Sequence, residues 1–398
     1  MAHLTAAPHR PLFLAGTLQT LLVILWWGFT LETRQYGTTL ATLIPETAAH
    51  GWLMIYGLFP FFIFGFLFTA LPNWVESGKI AQRDYLGSAG LMALGAGLFY
   101  PGLYVPYLAG IALILHALGW SIGLLALGRI LRGARHPDMR QPWLAWAATA
   151  AGLAGALAFL GGVVLDSVPW MRAAMAIGAW GFLIPLFLAV CHRMIPWFTS
   201  RIVPNYVIVR PHGPLWAMVA ASLCHGVMVV LELERWTWLI DLPSAGLAVW
   251  FIARWGIVPA MRERLLAMLH IGFVWSAVSL TLHGLDSLLA FAGAEYRLGL
   301  APMHALGIGF FGSMLLAMAS RVTLGHSGRP LKADALTWGL FWMVQLIALT
   351  RMLPDLLPGL IAYRAMNLAV LLWLATFGIW AWKYAPIYWR ARADGKPG

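Results

Sequence analysis

The sequence predicts an all-α protein, a polytopic membrane helical bundle of about 12 transmembrane helices. Three observations predict it. The chain's 398 residues are 61% hydrophobic and only 10% charged, outside the range of soluble domains. Apolar runs longer than the roughly 18 residues that mark a spanning helix recur along the whole length. Lys and Arg gather in alternate inter-helix loops. A β-barrel would show short alternating segments instead. No linker or low-complexity stretch divides the chain, so residues 1–398 read as a single integral membrane domain.

The first helix, 11–31, opens an apolar run at Leu12 that is too long for a signal h-region and lacks a small-residue cleavage site, so it reads as retained. Helix 2, 50–71, ends in FLFTALPNW. Helices 3 and 4, 85–100 and 102–128, are separated by Pro101-Gly102, and Pro137 precedes helix 5 at 142–165. Pro169 starts helix 6 at 170–196, and the loop from Pro204 to Pro214 leads into helix 7 at 213–233. Helices 8, 9 and 10 follow at 236–257, 264–291 and 298–322. Helix 11 at 334–353 stops at the Pro354 to Pro358 turn, after which helix 12 runs to 384.

The net charge of +11 invites a nucleic-acid partner, but the basic residues are spread through short loops rather than gathered in one arm. Nucleic acid is therefore excluded as a partner, and the lipid bilayer takes its place. The N-terminus, the loops after helices 2, 4, 6, 8 and 10, and the C-terminal tail hold twenty of the 26 Lys and Arg. Both termini are thereby expected in the cytoplasm, the chain being multi-pass in a bacterial inner membrane. The opposite side keeps Arg34, Arg172, Arg235, Arg297, Arg351 and Arg364. Two cysteines, Cys191 and Cys224, make neither a disulfide framework nor a zinc-type pair.

Direction converts position into depth at roughly 1.5 Å per residue. His50 opens helix 2, while His225, His283 and His304 each fall roughly 9–12 Å inside the outer boundary. Toward the cytoplasm, His192 ends helix 6, His270 sits about 9 Å into helix 9, and His326 follows helix 10. His116 falls mid-membrane. Imidazole inside a bilayer is costly, and its neutral form ligates haem iron and copper. The alternative is that each His donates to a neighbouring carbonyl or closes a helix end. Carboxylates at such depth are few, chiefly Asp166, Asp241 and Asp286, too few for a carboxylate-rich di-iron site. Soft or imidazole-bound metals fit better.

Helices 2, 6 and 10 end alike, in FLFTALPNW, LAVCHRMIPWFTSR and LLAMASRVTLGHSGRP, each four helices after the last. Either Pro-Trp and Gly simply end membrane helices in the interfacial belt, or the chain is a threefold repeat of four helices. Arg193 and Arg321 hold comparable positions there. They either snorkel to lipid phosphate or pair with buried anions such as haem propionates.

The block MHALGIGFFGSMLLAMASRVTLGHSGRPL, 303–331, with GFLFTALPNW at 65–74, RMIPWFT at 193–199 and ERLLAMLHIGFVW at 263–275, resembles the NnrS family. The likeness is spread along most of the chain. Those proteins are polytopic, carry haem and copper, and are linked to nitric oxide metabolism and nitrosative stress. The resemblance implies haem b, one or two, with copper as a further metal, and carries over His50, His270, His304 and His326. Arg193 and Arg321 carry over as matches. Where the family commonly reads WHAHEM before helix 2, this chain reads AAHGWLM, so only His50 of that histidine pair is present.

Twelve helices with histidines on helices 2 and 10 also resemble the haem–copper oxidase catalytic subunit. By that analogy His50 and His304 are axial ligands of one haem, with His225 and His283 near a second metal. The sequence lacks the histidine pair on helix 7 that holds copper in those oxidases, so haem is expected before copper. The expected function is binding or conversion of nitric oxide or nitrosyl-iron species at haem, fed by a membrane or periplasmic electron donor. Whether this amounts to an NO-handling oxidoreductase is left open, because acidic groups that would carry protons are isolated. Composition alone ranks a secondary transporter or channel first, and that is the competing reading.

Overall fold

The computed structural model describes residues 3–38, 40–357 and 359–396, and among them there is helix and connecting turn with no strand. Helical segments occupy every predicted position. In chain order they are α1 (His9–Gln35), α2 (Glu46–Trp74), α3 (Gln82–Gly102), α4 (Leu108–Gly133), α5 (Arg140–Val164) and α6 (Val168–Ile202). Then come α7 (His212–Val230), α8 (Trp238–Arg254), α9 (Arg264–Phe291), α10 (Ala301–His326), α11 (Ala335–Leu356) and α12 (Leu360–Trp389). Among the described residues, ten of them are long and apolar enough to cross a membrane. The two that fall short are α8, which has 17 residues, and α3, which is diluted by Gln82, Arg83, Asp84 and its glycines. The chain is thus a multi-pass helical membrane protein. Its lipid-facing stripes are legible on α4, where Ile111, Ile114, Leu118 and Leu125 are exposed at helical spacing.

Three helices are irregular midway. In α2 a turn at 56–58 interrupts the helix, and in α6 and α10 the segments Ile177–Leu183 and Ala305–Gly312 are π-helical. Both π segments are glycine-rich, IGAWGFL and ALGIGFFG, which relaxes the side-chain crowding that otherwise holds the backbone to the α pitch. These are the same three helices whose ends look alike in the sequence.

The chain divides into two compact units. The first holds residues up to Leu186, His326–Gly328 and Ala381–Gly398. Its core is aromatic, with Trp52, Tyr56, Phe64, Phe99 and Trp120 fully buried. The Tyr56 hydroxyl donates to the Ala174 carbonyl at 2.5 Å, so this polar tip is satisfied in the apolar interior. Helices α3 and α4 meet at backbone distance. A Cβ on Gly95 would lie 2.5 Å from the Ala112 carbonyl oxygen and 2.6 Å from the His116 nitrogen. Without a hydrophobic driving force between helices in lipid, such small-residue contacts supply the packing energy.

The second unit holds Phe187–Gly325 and Arg329–Trp380. Gln345 of α11 ties three of its helices. Its Oε1 accepts from Trp275 Nε1 at 2.6 Å, and its Nε2 donates to Ser313 Oγ at 2.8 Å and to its own helix at Phe341 O, 3.0 Å. Gln345→Leu should cost about 1 kcal/mol, the usual worth of interhelical hydrogen bonds in membranes. Thermal unfolding in detergent would measure it, and an unchanged midpoint would remove Gln345 from this role.

Candidate functional site

In the second unit, α7, α8 and α9 bring His225, Asp241 and His283 together. His225 Nδ1 lies 2.8 Å from Asp241 Oδ1, and the two imidazole rings stand edge to face, 5.5 Å between centroids. Both His225 and Asp241 are buried. Asp241 sits in the first turn of α8, where the positive end of the helix dipole favours a carboxylate. His283 Nδ1 donates to the Ser279 carbonyl at 2.9 Å, with the Ser279 hydroxyl at 3.3 Å, and that hydroxyl donates to Pro302 O.

These contacts set the tautomers. A carboxylate or carbonyl on Nδ1 requires the proton there, which puts the lone pair on Nε2 of both rings. The second oxygen of Asp241 is buried and finds no hydrogen-bond partner among the described residues, an expensive feature in an apolar interior. Among the described residues no group of three or more His, Cys, Asp or Glu is arranged to hold a metal ion. Axial ligation of a haem demands only one or two imidazoles. The neighbouring carboxylate Asp286 has a different task, since Arg297 grips it through Nε at 3.0 Å and Nη2 at 2.5 Å while Leu298 N donates at 2.7 Å. It fixes the turn that leads into α10.

His304 stands at the start of α10, directly before the π segment. Its Nδ1 donates to the Leu300 carbonyl at 2.9 Å, so its lone pair also sits on Nε2, the nitrogen through which imidazole commonly binds iron. The donor chemistry fits a haem ligand. π-Turns are frequent at functional sites, and this one follows the histidine at once. His50 belongs to the first unit, on α2, where its ring stacks on Trp27 at 4.2 Å and 17°. Arg34 covers Trp27 at 5.3 Å and pairs with Glu46 through Nε at 2.6 Å.

Of the inner residues, His270 meets Thr199 Oγ at 3.0 Å, and the Thr199 hydroxyl spends its proton on Ile195 O at 2.8 Å. The imidazole must then donate from Nε2, leaving its lone pair on Nδ1. Arg321 lies 3.7 Å over the Phe198 ring, a cation–π contact, with Glu263 as an electrostatic neighbour. Arg193 is half-buried on α6. His192 Nε2 is 3.0 Å from Pro211 O, and His116 Nδ1 is 3.1 Å from Met92 O, so both bond a carbonyl.

His326 belongs to the first unit, and the structure gives it a partner that the sequence did not suggest. Its ring lies 5.1 Å from that of His9. Arg392 Nη1 donates to the His326 carbonyl at 3.0 Å, Ala393 N to Ser327 O at 2.9 Å, and Arg392 forks onto Asp394 at 2.9 and 2.6 Å. The hydrogen bond from Arg392 holds the Asp394 carboxyl well below its usual range. A depressed carboxyl stabilises the fold above the unfolded value of about 4 and loses that effect as pH falls through the lower folded value. Gly328 turns at φ +70°, and a Cβ there would meet Asp394 Cγ at 2.5 Å. Gly328→Ala should therefore lower stability by roughly 1–3 kcal/mol, from the left-handed backbone and the collision. A thermal midpoint equal to the parent's would contradict that placement.

Sequence reasoning missed His9, Arg10, Thr199 and Arg392. A helix start at residue 11 left His9 and Arg10 in a loop, whereas α1 begins at His9 and Arg10 is buried, donating to the carbonyls of His3, Tyr388 and Arg390. The signal was local and faint, a charged residue beside a long apolar run.

No curated protein matches the chain. The family model described as NnrS protein matches residues 3–392. That match takes in residues of both units, the whole of α1 to α12 and every histidine named above, so the chain belongs to the NnrS family.

Proposed function

We propose that the protein binds haem b in a bacterial inner membrane, with both termini cytoplasmic, and handles nitric oxide or nitrosyl-iron species there in nitrosative-stress protection. The observation that carries this reading is membership of the NnrS family over residues 3–392. Imidazoles whose Nδ1 is committed to a protein acceptor support it, because that tautomer presents Nε2 to iron. His304 in the second unit and His50 in the first would each serve as a haem ligand. His270 in the second unit, with Arg193 and Arg321 for anionic edges, and His326 in the first would be further haem contacts. A bound ferrous haem would supply affinity for NO.

The chain's own residues supply the rest. His225, oriented by its bond to Asp241, and His283 would lie near copper if it is the second metal. Haem and copper content of the purified protein, followed by NO consumption with an artificial electron donor, tests the proposal. Stoichiometric haem with NO turnover supports an oxidoreductase, and haem that only binds NO supports a scavenger. A fully folded preparation that takes up no haem refutes both. The interruptions in α2, α6 and α10 are features that carriers also use, and metal-independent solute uptake into proteoliposomes would favour that reading instead.

A further inference from the structure

A cavity of about 660 Å³ opens in the first unit where α1 begins, α2 ends and α3 begins. Helix ends of membrane spans lie at headgroup depth, so the cavity faces the interfacial region. Its volume is that of a small-molecule site. Phe68, Pro72 and Ile80 give it apolar walls, while Lys79, His326 and Arg392 are its basic lining. The segment before α1 is fixed as one wall by Gln82 Nε2 and the Tyr85 hydroxyl, which donate to Thr5 O at 3.0 and 2.6 Å.

The electrostatics are one-sided. No Asp or Glu is among the described residues that line the cavity. Asp394 neutralises Arg392 from outside the lining, and Asp84 is occupied by Arg129 at 2.9 Å. Lys79 and the buried Arg10 add positive charge, and so do two helix N-termini, since Pro8 caps the 27-residue α1 and Gln82 starts the 21-residue α3. Behind His326, the Nδ1 of His9 is buried without a hydrogen-bond partner. An added cation would meet repulsion here, and an anion would not.

We propose that this cavity binds a phosphate-bearing anion, presented either as the headgroup of an anionic phospholipid or as a water-soluble phosphate ester. Full-length protein in detergent, titrated with phosphatidylglycerol, with phosphatidylcholine of the same chains and with inorganic phosphate, tests it by native mass spectrometry. Phosphatidylglycerol should bind more tightly than phosphatidylcholine, and Lys79→Gln should weaken it about fivefold, the worth of one basic residue at a membrane surface. Lys79→Arg should restore it. Lys79 is exposed, so the variants fold like the parent, and equal thermal midpoints confirm that. Lipid binding that inorganic phosphate leaves untouched assigns the lipid source. Saturable phosphate binding that depends on Lys79 assigns the soluble one. Equal binding of both lipids, or binding indifferent to Lys79→Gln, overturns the proposal. Haem absorbance read on the same samples keeps this result separate from the proposed haem chemistry.

Discussion

Gly95→Val should be recovered as little or no folded protein. The valine Cβ would sit 2.5 Å from the Ala112 carbonyl oxygen and 2.8 Å from His116 Cβ, with the His116 nitrogen at 2.6 Å. Two of those three atoms are backbone of α4, so no rotamer change relieves them. Overpacking costs about 1–3 kcal/mol where side chains can yield. Here the helices themselves must part, which also withdraws the small-residue contacts that hold them in lipid. The matched control lies on the same helix. Gly90 and Gly97 meet nothing within 4 Å, so Gly90→Ala and Gly97→Ala should keep the fold and gain up to about 1 kcal/mol of helix stability. Size-exclusion profiles and thermal midpoints in detergent read both results. A folded Gly95→Val protein with the parent midpoint would show that α3 and α4 do not approach at that point.

His304→Ala and His50→Ala should each reduce the haem signal while leaving the protein folded. His304 is partly exposed, and its Nδ1 bonds to Leu300 O at 2.9 Å within its own helix turn. Its loss should cost little stability. The expected loss is in the Soret band, which should fall by the share of the haem that the imidazole would hold, because its removal takes away a ligand of the iron. His116→Ala is the informative contrast. His116 is fully buried, packs against Trp52 and Trp120, and bonds Met92 O, so its loss should lower the thermal midpoint and leave the haem spectrum of the surviving protein intact. A haem spectrum unchanged in His50→Ala and His304→Ala would remove both from the iron.

The helices were legible in the sequence because bilayer thickness imposes a run length that composition reports directly. What depends on distant contacts was not. His9 and His326 are over three hundred positions apart, and no local pattern announces that α1 and the end of α10 meet beside the C-terminal tail. The helix end RVTLGHSGRP takes its local structure from that meeting. His326 and Ser327 are tied through their carbonyls to Arg392 and Ala393, and Gly328 makes the turn that Asp394 closes. Depth alone did group His225 with His283, and the structure adds the Asp241 bond, which spacing could not supply because it crosses from α7 to α8. The π segments were also invisible, since a glycine-rich apolar run reads as plain membrane helix.

The central claim, haem that meets nitric oxide, is tested most directly by the absorption spectrum of the purified, dithionite-reduced protein before and after NO. The account predicts a Soret band in the parent that shifts on NO addition, and a smaller band in His304→Ala. A folded, cofactor-supplied preparation with no Soret band, or with a band that NO leaves unmoved, would contradict it.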